Sequence, residues 1–103
     1  MSRSEHTVRL LRIAEDDLTE IVTYIAADRP SAAEALATRI EKNLARLSKH
    51  PYLGHIPKED ELASLGYRYL VVDSYLVFYT VEDATVLVHR ILHGARDYLR
   101  LFR

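Results

Sequence analysis

Three apolar runs separated by two short polar breaks dominate the C-terminal third of the sequence. Residues 67–72 and 75–81 are rich in Val, Leu, Tyr and Phe, and the pair Asp73-Ser74 divides them. A second break at residues 82–84 precedes a third run over residues 85–92. Short polar side chains between strand-forming runs favour tight turns, so the pattern predicts a three-stranded meander. The third strand leads directly into the densest polar cluster of the chain, residues 93–98.

The N-terminal half of the sequence predicts one strand followed by two helices. Residues 7–13 are apolar on both alternating faces and should join the sheet, and a change of period at Ala14 predicts a helix over residues 14–28. Pro30 and a capping-box pattern at Ser31-x-x-Glu34 predict the start of a second helix. The apolar stripes are Leu18, Ile21, Val22 and Ile25 on the first helix and Leu36, Ile40, Leu44 and Leu47 on the second.

This order of elements predicts an α+β fold of two layers, with a helical hairpin packed on one face of a small antiparallel sheet. The opposite sheet face and one flank of the hairpin should then stay open as binding surface. Residues 49–65 form a connection that is long for so small a domain, which indicates a functional loop or one covered by a partner.

Composition limits the possible classes of protein. A chain of 103 residues is the size of one domain, here residues 1–103, and the absence of cysteine excludes disulfides and thiolate metal sites. No apolar run is long enough for a membrane span or a signal peptide, which predicts a soluble cytoplasmic protein without a membrane partner. The five histidines show no tight metal-binding spacing, so no metal site is expected.

Charge is unevenly distributed along the chain. The net charge of -1 argues against a surface that coats nucleic acid in general. From Ala84 onward, however, four arginines face one acid, Asp97, whereas residues 1–65 carry nine basic and eleven acidic side chains. We call Arg90, Arg96 and Arg100 the basic island. They are candidates for target contact, although ordinary solvated arginines would give the same pattern.

Several motifs in a fixed order resemble the RelE/ParE family of toxin-antitoxin toxins. They are residues 17–25 (DLTEIVTYI), 30–33 (PSAA), 50–54 (HPYLG), 66–70 (GYRYL), 75–81 (YLVFYTV) and 90–97 (RILHGARD). The resemblance spans nearly the whole chain. It implies the sheet order 1-4-3-2, a small antitoxin as partner in a heteromeric complex, and no cofactor.

The resemblance leaves two activities open. In an mRNA endonuclease that works on the ribosome without metal, His93, Arg96, Arg68 and Tyr98 would be the catalytic residues, because such cleavage needs a base, a phosphate-binding cation and an acid. Each has a plain structural alternative: a surface histidine, a partner for Asp97, a solvated arginine and a packed tyrosine. In the ParE branch, the protein instead binds DNA gyrase and traps it on cleaved DNA.

Three features favour the ParE branch, and the first is the net charge of -1. Leu70 and Leu76 stand where the mRNA-cleaving branch carries additional basic residues, and the motif at residues 90–97 is closer to the gyrase-directed branch. An inactive relic that still binds antitoxin is a third alternative. Arg90, inside an apolar strand, more often marks a tie to a buried carboxylate than a contact with a target.

The antitoxin is expected to bind apolar side chains of the helical hairpin that a narrow sheet cannot cover. A disordered partner would fold there as an amphipathic helix and add a strand at a sheet edge. The predicted antitoxin-binding residues are Leu18, Ile21, Ile25, Leu36, Ile40 and Leu44.

Overall fold

Four strands and two long helices make up the two layers of the molecule. A computed structural model describes residues 5–95 and 98–102. In chain order the elements are β1 (Thr7–Leu10), α1 (Arg12–Ala26), α2 (Pro30–Lys49), α3 (Asp60–Ser64), β2 (Arg68–Val72), β3 (Tyr75–Glu82), β4 (Thr85–His93) and a 3-10 helix (Tyr98–Phe102). The predicted α+β class is confirmed.

The sheet has the predicted order, β1-β4-β3-β2. Strands β2, β3 and β4 form the predicted meander, with two-residue turns at Asp73-Ser74 and Asp83-Ala84. Asp73 and Asp83 adopt φ values of 54° and 56°, a left-handed conformation that aspartate tolerates better than most residues. The predicted all-antiparallel sheet is wrong in one pairing, because β1 runs parallel to β4.

The parallel pairing follows from the path of the helical hairpin. The N–H of His6, just before β1, donates to the carbonyl of Ser48 near the end of α2, at 2.9 Å. The hairpin therefore returns the chain to the end of the sheet where β1 begins. Strands β2 and β4 also begin at that end, and β3 is antiparallel to both.

Three predictions about the ends of elements were wrong. Helix α1 spans Arg12–Ala26 rather than residues 14–28. Strand β1 ends at Leu10 rather than Ile13, because the Leu11 carbonyl already accepts the first backbone bonds of α1, from Ala14 and Glu15. The capping box on α2 is also absent. Pro30 occupies the first helical position and Arg29 the N-cap, so Ser31 lies inside the first turn, where its side chain caps no backbone group.

The main core lies between the helices and one face of the sheet. Its fully buried members come from both layers and include Ala14, Leu36, Ile40, Leu47, Val77, Tyr79, Val86, Val88 and Ile91. The predicted α2 stripe therefore does face the sheet, while the α1 residues Leu18, Ile21 and Ile25 are only partly buried beside it. The helix faces were read correctly from their spacing.

The opposite sheet face was expected to stay open, but in the structure it is covered. Leu62 of α3 and the 3-10 helix pack on Phe78 and Leu92, and a ring of aromatic side chains surrounds them. The long connection between α2 and β2 therefore contributes Leu62 to a second, smaller core on this face of the sheet. None of the helices in residues 5–95 and 98–102 has the length and apolarity that crossing a membrane requires.

Candidate functional site

Arg90 forms a two-point ion pair with Asp17 of α1. Its Nε lies 2.8 Å from Asp17 Oδ2 and its terminal nitrogen 2.9 Å from Oδ1, and both side chains are about 15% exposed (15% and 14%). Asp17 Oδ2 also accepts the N–H of Ile91 at 3.0 Å. The hydrogen bonds that Arg90 donates to the Asp17 carboxylate raise the pKa of Arg90 above its usual value. The predicted ion pair with a carboxylate is present. Because the Arg90 guanidinium is bound to Asp17, it differs from the other arginines of the basic island, which were expected to contact a target.

Asp17 takes the place of a missing strand at the edge of β4. Strand β1 covers β4 only as far as Val88, whose carbonyl accepts the N–H of Leu11 at 2.9 Å. Beyond that point the chain turns into α1, so the Ile91 N–H needs another acceptor, and the carboxylate of Asp17 provides it. Asp17 thereby joins α1 to the sheet.

Arg68 holds the loop that precedes α3. One terminal nitrogen donates to the carbonyls of Tyr52 and Gly54 at 3.1 and 3.0 Å. The guanidinium carbon also lies 5.2 Å from the centre of the Tyr52 ring, within cation-π range. Through these contacts Arg68 stabilises the loop, although part of its side chain remains exposed.

His93 and Tyr98 occupy different environments. His93 is exposed, its Nδ1 accepts the N–H of Ala95 at 3.1 Å, and its ring packs edge-on against Tyr75. Tyr98 packs on Phe78 and donates its hydroxyl to Glu59 Oε2 at 3.0 Å. Burial and the Glu59 carboxylate raise the pKa of Tyr98 to about 12, so the phenol stays protonated at neutral pH.

The described members of the predicted catalytic set do not converge. Arg68 pairs with Tyr79 and His93 with Tyr75, so roughly 14 Å of strand separates the two side chains along β3. Tyr98 belongs to the small core on the opposite sheet face. Arg96, the fourth member, lies outside the described residues, and Arg100 is exposed in the 3-10 helix.

A chain of hydrogen-bonded side chains, which the sequence did not reveal, links β3 and β4 to Tyr67, the residue just before β2. Phe78 faces Arg90 and Tyr79 faces Val88, so His89 is the extra residue of a β-bulge. The other members of this chain, Tyr67, Thr80 and Glu82, lie near one end of the sheet.

Each bond in this chain has a defined direction. The Thr80 hydroxyl donates to Glu82 at 3.2 Å, so His89 Nε2–H donates to Thr80 at 2.9 Å. His89 Nδ1 then accepts the Tyr67 hydroxyl at 3.2 Å. Burial lowers the pKa of His89, which favours the neutral imidazole that this arrangement requires. The signal available in the sequence was a histidine, His89, within an apolar strand.

Several clefts border the helical hairpin within the described part of the chain. One, of about 220 Å³, lies between α1 and the end of β4, and Ile21 and the exposed Tyr24 help to line it. Another, of about 360 Å³, lies between β1 and α2, with Leu44 and Ala45 on its wall. A third hollow of about 390 Å³ surrounds Tyr24 and Ile25 at the end of α1.

The clefts divide the predicted antitoxin-binding residues into two groups. Ile21, Ile25 and Leu44 line clefts, and Leu18 is partly buried in the adjoining core. Leu36 and Ile40 are 3% and 0% exposed, so in this conformation they present no surface to a partner. Their spacing correctly gave the apolar face of α2, but that face is already covered by the sheet.

Comparison with known proteins identifies the family. A family model described as the ParE toxin of type II toxin-antitoxin system, parDE, matches residues 8–98. The chain belongs to the RelE/ParE family of toxins. Toxin RelE2 of Caulobacter vibrioides is 37% identical over 81 residues, which are 78% of this chain and 85% of the relative.

Two solved structures share the fold of this RelE/ParE toxin. One, described as a chromosomal ParDE TA system from P. aeruginosa, has a TM-score of 0.71 at 17% identity and covers 86% of this chain and 96% of that chain. The other, from the toxin-antitoxin complex RelBE2 of Mycobacterium tuberculosis, has a TM-score of 0.61 at 26% identity, over 86% of this chain and 98% of that chain. The predicted family and fold are confirmed.

Proposed function

We propose that this toxin performs no chemistry of its own and inhibits growth by binding DNA gyrase and trapping it on cleaved DNA. The supporting observation is the separation of His93, Arg68 and Tyr98. A nuclease needs its base, phosphate-binding cation and acid around one scissile bond, because proton transfer requires hydrogen-bond reach. Here roughly 14 Å of strand lies between two of these groups, and the third is on the opposite sheet face.

The state of each group supports the same proposal. A hydroxyl whose pKa is about 12 and which already donates to Glu59 is a poor proton donor at neutral pH. The guanidinium of Arg68 already donates hydrogen bonds to two backbone carbonyls, which compete with binding of a phosphate. Leu70, where the nuclease branch would carry a basic residue, is buried in the main core.

A ribosome-dependent mRNA endonuclease is the second candidate. It is favoured by the 37% identity to a relative named Toxin RelE2. In that case His93 and Arg96 at the end of β4 would carry the chemistry, and Tyr98 would have to leave Glu59. Gyrase-dependent linearisation of supercoiled plasmid, set against cleavage of mRNA on translating ribosomes, distinguishes the two candidates.

We further propose that a small cognate antitoxin neutralises the toxin by filling the clefts beside the hairpin. Apolar walls with an adjoining strand edge suit an amphipathic helix followed by an extended segment. The cleft between β1 and α2 has this form, since β1 is an edge strand and Val8, Leu10 and Leu44 line the cleft. Ile21, Ile25 and the 82% exposed Tyr24 offer further anchors.

Ala45→Arg tests this placement. Ala45 is an exposed helical position on the cleft wall, so we expect the arginine to block an incoming helix and change stability by no more than about 0.5 kcal/mol. Antitoxin affinity should fall at least about tenfold, which is about 1.4 kcal/mol. The readouts are calorimetric titration with the cognate antitoxin and rescue of growth arrest by its co-expression.

Thr23→Arg is the matched control, because it adds the same charge at an exposed position of α1. We expect the control to arrest growth and to be rescued like the original chain, whereas Ala45→Arg should arrest growth and escape rescue. Equal affinity of the two variants for the antitoxin would place the antitoxin elsewhere. Unimpeded growth during confirmed expression of the original chain would count against both toxin mechanisms.

A further inference from the structure

The cleft between α1 and the end of β4 combines apolar and polar walls. Its volume is about 220 Å³, which is less than the roughly 300–1,000 Å³ of pockets that hold drug-sized ligands. Ile21 of α1 and the buried Ile91 of β4 contribute to its apolar part. A cleft of this size suits one long side chain of a partner rather than a whole small molecule.

Two carboxylates line the cleft, and one of them is already occupied. The Asp17 carboxylate is paired with Arg90 and accepts the Ile91 N–H. Glu20, one turn further along the same face of α1, is exposed and has no hydrogen-bond or ion-pair partner among residues 5–95 and 98–102. Because Arg90 balances the charge of Asp17, the carboxylate of Glu20 is the one available to a ligand.

Two tyrosine rings border the same cleft. Tyr24 follows Glu20 by one helical turn and is 82% exposed. Tyr75 belongs to β3, and its ring packs edge-on against His93 with the ring centres 5.4 Å apart, which holds it in place. The faces of aromatic rings carry partial negative charge. Both rings therefore attract a cation, as the carboxylate of Glu20 does.

We propose that this cleft binds an arginine side chain of the antitoxin. The guanidinium pairs with Glu20 and stacks on the rings of Tyr24 and Tyr75, and the methylene stem lies against Ile21. Arginine fits this site better than lysine, because a planar guanidinium stacks on aromatic faces and is more weakly hydrated than an ammonium group.

The antitoxin is the inferred source of the arginine because the cleft adjoins the surface already proposed for it, and the inference rests on that proposal. Tyr24 lines both this cleft and the hollow beside Ile25. One amphipathic segment can therefore place an apolar side chain in the hollow and an arginine in the cleft. An antitoxin without the arginine leaves Glu20 unpaired in the complex, so the contact makes the pairing of toxin and antitoxin selective.

The first test titrates the purified chain with Nα-acetyl-arginine amide and follows the backbone amide signals by heteronuclear NMR. We expect shifts confined to residues that line the cleft, with a dissociation constant of about 10–100 mM for one ion pair and one or two cation-π contacts. Nα-acetyl-citrulline amide is the control ligand, because it has a similar shape without the charge. It should cause much smaller shifts.

Three variants separate the contributions of charge and ring. Glu20→Gln should weaken binding of arginine amide about three- to fivefold, and Tyr24→Leu, which keeps an apolar side chain but removes the ring, about threefold. Glu15→Gln is the matched control, because it removes the same charge from an exposed position of α1 outside the cleft. It should bind arginine amide as the original chain does.

Calorimetric titration with the cognate antitoxin is the second test. Glu20→Gln should weaken this binding about tenfold, because the partner's arginine loses its counter-ion in the complex, whereas Glu15→Gln should change it less than about twofold. Each arginine of the antitoxin is also replaced by glutamine. One of these replacements should cause a similar loss that does not add to the loss in Glu20→Gln.

Each part of the proposal has a result that would overturn it. Absence of shifts at about 200 mM arginine amide, or equal binding of the arginine and citrulline amides, would show that the cleft binds no cation. Equal antitoxin affinity of Glu20→Gln and Glu15→Gln would show that the antitoxin places no arginine there. Failure of the original chain to bind the antitoxin would contradict the proposed neutralisation itself, and the arginine amide titration, which needs no antitoxin, would still decide whether the cleft is a cation site.

Discussion

Asp17→Ala is expected to lower the free energy of unfolding by about 3 kcal/mol. The substitution leaves the guanidinium of Arg90 without its counter-ion in a site where the side chain is only 15% exposed. It also leaves the Ile91 N–H without its acceptor at the uncovered edge of β4. Alanine's better helix propensity offsets this loss by only about 0.5 kcal/mol. Urea denaturation followed by circular dichroism measures the change.

The exposed ion pair between Arg39 and Asp73 is a suitable control for Asp17. It is also a two-point contact between a helix and the sheet, but its side chains are 49% and 41% exposed. Solvent screens such pairs, so Arg39→Ala should cost much less stability than Asp17→Ala. Asp17→Asn, which retains an oxygen for Ile91, should fall between the two. Similar losses for Asp17→Ala and Arg39→Ala would show that Asp17 does not join α1 to the sheet.

Gly54→Ala is expected to destabilise the protein by about 2–3 kcal/mol. A Cβ at this position would lie 2.7 Å from the Tyr79 hydroxyl and 2.8 Å from the Tyr69 carbonyl, both too close for non-bonded atoms. Neither neighbour can move easily, because Tyr79 is fully buried and the other atom belongs to the backbone of β2. The loop must therefore shift and lose the bond from the Gly54 N–H to Tyr79.

Two variants separate steric crowding from the loss of that hydrogen bond. Tyr79→Phe removes the hydroxyl alone and should cost about 1 kcal/mol. Gly94→Ala places a Cβ at an ordinary 3.5 Å from its nearest neighbour, the Ser74 carbonyl, and should stay within about 0.5 kcal/mol of the original chain. A Gly54→Ala protein as stable as Gly94→Ala would contradict the packing described for the loop. Thermal and urea unfolding provide the comparison.

Local patterns predicted most of the fold. The turn at Asp73-Ser74, the meander and the apolar face of α2 were read directly from spacing, since each depends on neighbours within a few residues. The direction of β1 could not be predicted from local patterns. Its parallel pairing with β4 depends on where the helical hairpin returns the chain to the sheet. The capping box failed for a local reason: Pro30 had already taken the first helical position.

Side-chain partners distant in sequence could be predicted only in outline. The strand position of Arg90 indicated a carboxylate partner but did not identify Asp17, which lies 73 residues earlier. The chain through Tyr67, His89 and Thr80 depends on a bulge that exposes no pattern of its own. Periodicity alone does not distinguish residues that face the core from residues that face a partner. Leu36 and Ile40 were predicted to contact the antitoxin, but they are buried in the core.

The most direct test of the proposed mechanism is incubation of the purified chain with DNA gyrase, ATP and supercoiled plasmid. The proposal predicts that linear DNA accumulates after the gyrase is denatured, in proportion to the toxin added and only when gyrase is present. In parallel, mRNA on translating ribosomes should remain intact with the same preparation. Codon-specific cuts in that mRNA, with no linear plasmid, would contradict gyrase poisoning and establish the nuclease mechanism.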